Sequence, residues 1–96
     1  MTHLVLMKFQ DNFLNDANLS EITEAYQELK KALPEEIYNV NIHRNIVPRE
    51  SNMDIMIELE LKNADSLPIY LTHPIHQAIS TKMNPYVINR VSFDYA

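Results

Sequence analysis

The chain of 96 residues has no glycine, no cysteine and no tryptophan, and each absence removes a class of function. Without glycine, neither a GxGxxG turn nor a P-loop can form, so nucleotide binding by those routes is excluded. Without cysteine there is no disulfide framework and no thiolate metal site, which fits a cytoplasmic protein. Basic residues are scarce. Eight Lys and Arg against thirteen Asp and Glu give a net charge of −5, and only Lys30 and Lys31 are adjacent. A phosphate-binding surface needs clustered cations, so no nucleic-acid partner is expected. No apolar run approaches the length of a membrane span, and Met1-Thr2-His3 lacks the basic flank and apolar core of a signal peptide, so no membrane partner is expected either.

What is present reads as one domain, 46% apolar and large enough for a core. Any sizeable pocket must be shared or shallow. Turns have to use Asn, Asp, Ser and Pro, and these cluster at residues 11–18, 34–36, 48–52 and 84–85. Between them, His3–Phe9 is apolar at nearly every position, as in a central strand covered on both faces. From Asn18 or Ser20 to Leu33, apolar residues at Ile22, Ala25, Tyr26, Leu29 and Leu33 follow the helical period, with Asn18 and Glu21 spaced as a capping box. Tyr38–Ile46 alternates Tyr38, Val40, Ile42 and Arg44 against polar neighbours, and Asp54–Leu61 does the same with Ile55, Ile57, Leu59 and Leu61. A short helix is expected over Asp65–Leu71 and a second over Pro74–Met83. A last strand, Val87–Tyr95, sets Val87, Val91, Phe93 and Tyr95 against Arg90, Ser92 and Asp94. The order βαββαβ predicts an α+β, ferredoxin-like fold with a four-stranded antiparallel sheet and helices on one face. The bare sheet face then predicts a homodimer, sheet against sheet.

The chemistry-bearing segment is Tyr70-Leu-Thr-His73-Pro74-Ile-His76. Proline suits the first helical position, so His73 is expected as the N-cap and His76 in the first turn. The positive end of the helix disfavours an imidazolium there, which leaves His76 neutral and able to accept a proton near neutral pH. The same residues also suit a plain cap and a half-exposed histidine. Glu58 and Glu60, two apart on one strand face, have the spacing to hold a divalent cation, but pairing with Arg90 or solvation accounts for them, and His43 adds nothing diagnostic. No metal and no cofactor are assigned.

His3-Leu-Val-Leu-Met-Lys-Phe9, His43-Arg44-Asn45 with Pro48-Arg49, the Asp54–Leu61 strand and Tyr70-Leu-Thr-His73-Pro74-Ile-His76-Gln77 together resemble the stress-responsive α/β-barrel (Dabb) domain family over the whole chain. The resemblance implies a dimeric α+β barrel. Most such proteins have no assigned reaction, but a plant member, olivetolic acid cyclase, closes a linear polyketide by a cofactor-free aldol condensation. Its catalytic Tyr and His match Tyr70 and His76, and its pocket His and Tyr match His3 and Tyr26. His76 would remove a proton next to a carbonyl while Tyr70 hydrogen-bonds the enolate oxygen. His3, Tyr26 and His73 would bind substrate, and Met7, Ile79 and Met83 would give an aliphatic lining. With no tryptophan and three phenylalanines, a pocket for a large aromatic polyketide is not indicated. Three functions stay open: an enzyme acting on a small carbonyl compound, a non-catalytic binder of a small apolar ligand, and a dimeric stress or interaction protein. An enclosed cleft holding His76, Tyr70 and His3 would favour the first, outward-pointing groups the second, and a filled interior the third.

Overall fold

Residues 1–96 are all described by the structure, a computed structural model, and fall into four strands and three helices. Strand β1 (Thr2–Phe9) buries every second residue: His3, Val5, Met7 and Phe9 face the helices, while Leu4 and Leu6 lie on the opposite face. The longest helix, α1 (Asp16–Ala32), puts Ile22, Tyr26 and Leu29 on one buried stripe at i, i+4 and i+7. Its cap is Asn15, whose side-chain oxygen accepts from the Asn18 backbone N–H at 2.8 Å, so the helix begins earlier than a box built on Asn18 and Glu21 requires. Asp16 in its first turn and Lys30 and Lys31 in its last complement the helix dipole.

Strands β2 (Ile37–Arg44) and β3 (Ile55–Leu61) pair antiparallel, and the sheet order is β2-β3-β1-β4 with β4 at Val87–Tyr95. All neighbours run antiparallel, the ferredoxin-like plan. Bulges amend the expected faces at two places. Register shifts at Tyr38, which stands exposed while Ile37 is buried in its stead. It shifts again opposite Lys8 and Phe9, where Ile88 is the extra residue and Val87 turns to pack against the core.

Two short helices close the helical layer. In α2 (Ser66–Leu71) Pro68 falls in the first turn, where no backbone donor is lost, and its carbonyl accepts from the Thr72 N–H and hydroxyl. In α3 (Pro74–Met83) His73 is the N-cap, its Nδ1 accepting from the Ile75 N–H at 3.1 Å. The core lies between helices and sheet, centred on Ile22, Leu29, Ile57 and Leu59. Within one chain β1 is covered on its helix side only, and the other sheet face carries Val91, Phe93 and Tyr95, with Phe93 64% exposed. No helix is long and apolar enough to cross a membrane.

Candidate active site

Alternation along β1 and β4 decides which side chains meet under the short helices. His3 pairs with Asp94, Val5 with Ser92 and Met7 with Arg90, so these six share the helix-facing side. Because α2 and α3 do not extend fully over β4, a recess of about 270 Å³ remains between them and the sheet. His3, Tyr26, Tyr70 and His76 line it together with Met7, Met83 and the polar row Arg90, Ser92 and Asp94.

The break between α2 and α3 brings Tyr70, at the end of one, against His76, at the start of the other, with ring centroids 4.5 Å apart and edge to face. His76 Nδ1 lies 3.0 Å from the Leu71 carbonyl oxygen, which can only accept, so Nδ1 carries the proton and Nε2 presents a lone pair. The Ser80 hydroxyl, one helical turn on, approaches that lone pair at 3.4 Å, a contact weak enough for a ligand to displace. Burial lowers the His76 pKa below its ordinary 6.5, with Coulombic influence from Arg90 and His3 acting the same way against the Leu71 bond. Neutral His76 is therefore the resting form at pH 7.

Tyr26 and Tyr70 are almost fully buried, and their hydroxyls meet at 3.2 Å. Burial raises both phenol pKa values, so each hydroxyl stays a proton carrier. His3 is buried, hydrogen-bonds the Asp94 carboxylate through Nδ1, and sets its ring edge-on to Tyr70 at 5.9 Å.

Two residues expected in the lining lie elsewhere. His73 is engaged in capping α3, and Ile79 points into the core. Arg90 is also not where a pairing with Glu58 or Glu60 would need it. Those carboxylates lie on the open face, with Thr2 and Asn41, whereas Arg90 faces the helices and donates to the Asn84 side-chain oxygen at 2.6 Å. Arg90, Ser92, Asp94 and Ser80 were missing from the expected site. The polar side of the last strand was visible in its alternation, but nothing local tells a solvent-facing row from one that faces a gap between helices.

A wider groove of about 550 Å³ between the β1–α1 and β2–β3 connections is lined by Lys8, Asp11, Arg44 and Asp54, among others. Most of its charges are engaged: Lys8 with the Glu50 carbonyl, Arg44 with Asp16, Asp54 with the Phe9 N–H. It brings together no acid–base pair.

A ferredoxin-like sheet with a histidine- and tyrosine-lined recess beneath its broken second helical segment defines a small α+β domain of the kind that hosts many chemistries. The chain belongs to the Dabb family: the model of the stress-responsive A/B barrel domain matches residues 1–96. A dimeric ferredoxin-like protein of unknown function from Thermobifida fusca is 23% identical with a TM-score of 0.79, over 99% of this chain and 88% of that one. A dimeric protein of unknown function and ferredoxin-like fold from Bacteroides fragilis is 26% identical with a TM-score of 0.72, over 98% and 92%. Hydroxynitrile lyase from Passiflora edulis is 15% identical with a TM-score of 0.77, over 98% and 84%, a likeness of fold alone. No protein of curated function matches the sequence.

Proposed function

We propose that this Dabb protein is a cofactor-independent acid–base enzyme acting on a small carbonyl compound, with His76 as base and Tyr70 as hydrogen-bond donor. The observation that carries this reading is the contact between the two rings at the edge of a recess, with the His76 proton committed to Leu71 and its Nε2 lone pair left over. In the proposed step Nε2 takes a proton from the carbon next to the carbonyl, the C–H electron pair moves to the carbonyl oxygen, and the enolate accepts a hydrogen bond from Tyr70. If Tyr26 donates to the Tyr70 oxygen, the Tyr70 proton is free for the substrate. His3, fixed by Asp94, would orient the ligand from the opposite wall. A solved structure of this fold is a hydroxynitrile lyase, which supports the fold as a host for catalysis.

The test is deuterium exchange. In D₂O, wild-type protein should speed loss of the α-proton signals of some member of a panel of short ketones, aldehydes and oxo acids. His76→Ala should return the rate to that of buffer, and Tyr70→Phe should slow it about a hundredfold, the effect of losing one oxyanion donor. Exchange at the buffer rate throughout, or undiminished in His76→Ala, would end the proposal.

We also infer a homodimer through the open sheet face, where Leu4, Leu6, Met56, Val91, Phe93 and Tyr95 form an apolar surface. The dimeric relatives from Thermobifida fusca and Bacteroides fragilis support it.

A further inference from the structure

The helix-facing side of a sheet is ordinarily apolar, and three of the four strands here follow that rule apart from His3 and Arg44, each of which meets a carboxylate, Asp94 and Asp16. The departure is β4, which places Arg90, Ser92 and Asp94 on that side, all three lining the recess. Asp94 is matched within the chain by His3. Arg90 is not matched. It takes part in no ion pair, and Asn84 accepts from one Nη2–H, leaving four of the five guanidinium donors without a protein acceptor. Nor can Asp94 turn to it, because four residues of extended strand separate the two by about 13 Å. The recess therefore has a solvent-exposed cation with no protein counter-charge at one end and an engaged carboxylate at the other.

We infer that the recess takes a small oxo acid, its carboxylate held by the Arg90 guanidinium and its carbonyl beside Tyr70 and His76. The carbonyl half of this inference rests on the acid–base reading above; the carboxylate half does not. A guanidinium fork matches a carboxylate with two parallel hydrogen bonds, and the Asn84 bond uses one of its five donors, leaving the others open to a ligand. A phosphate ester would bring a second negative charge, and no other Lys or Arg lines the recess to meet it. Size is limited as well. At about 270 Å³, the space equals roughly nine water molecules at ~30 Å³ each, room for a short aliphatic acid. Coulombic influence from Arg90 on Tyr26, Tyr70 and His76 is consistent with a guanidinium within electrostatic reach of the proposed reacting groups.

The test compares levulinate with its uncharged amide by NMR titration of the full chain, following the amide signals of Tyr70, His76 and Ser92. Levulinate should bind about tenfold or more tightly than the amide, as expected for a charge-assisted pair. Arg90→Gln should remove that preference, and Arg90→Lys, which keeps the charge and loses the fork, should keep part of it. Unchanged dispersion of the remaining amide signals establishes that the variants are folded. Equal binding of acid and amide, a preference that survives Arg90→Gln, or no saturable binding of either would overturn the inference. An acid preference shown by wild-type protein that speeds no deuterium exchange would leave the carboxylate site standing and remove the acid–base reading. Exchange by wild-type protein with no acid preference would do the reverse.

Discussion

The role proposed for His76 requires one nitrogen committed and the other free, and its neighbours supply both through backbone geometry. The Leu71 carbonyl, at the end of α2, captures the Nδ1 proton, and burial disfavours a second proton on Nε2. The consequence is a displaced acid limb. Because the folded pKa lies below the ordinary 6.5, exchange activity should hold as pH falls through 6.5 and decline only below the depressed value, tenfold per pH unit. A rate profile set beside an imidazole NMR titration of His76 checks this; half-maximal activity at or above pH 6.5 would contradict it. Stability follows the same sign. The unfolded chain takes up the proton first, so this residue's contribution is present above 6.5 and is lost as pH falls toward the folded value.

Element boundaries were legible wherever proline and hydrophobic period spoke together. Pro74 marks the start of α3, and Ile22, Tyr26 and Leu29 mark the inward stripe of α1. What stayed hidden were choices between equivalent caps and the placing of bulges. Asn15 and Asn18 are both good capping residues, and only the path of the chain after Phe13 selects the first. Asn15→Ala should accordingly cost about 1 kcal/mol in urea unfolding, whereas Asn18→Ala, which deletes a bond to the Phe13 carbonyl but not the cap, should cost less. An equal or reversed ranking would count against the assignment of the cap. The convergence of Tyr70 with His76 was likewise invisible to spacing, because it depends on the angle at which two short helices meet. The row Arg90, Ser92 and Asp94 could be recognised as one side of a strand, yet which side faced the recess followed only from pairing with His3, Val5 and Met7.

At the scale of the whole molecule, β4 serves two surfaces. Its even-numbered side chains from Arg90 onward line the recess, and Val91, Phe93 and Tyr95 form part of the proposed dimer face. Phe93→Glu places a charge in the middle of that face and should shift the sedimentation mass from two chains to one while leaving the helix-side NMR signals in place. A dimer of unchanged affinity would remove the proposed interface. Both surfaces depend on the single unpaired residue at Ile88, which lets Val87 join the core while Arg90 still points toward the helices. Drawing Ile88 into the regular ladder with Val87 kept inward would turn the rest of the strand over, handing aromatic rings to the recess and a row of charges to the proposed contact between subunits, whereas deleting it would leave both faces as they are. Whether one residue is paired or left out of the ladder thus acts as a frameshift in space.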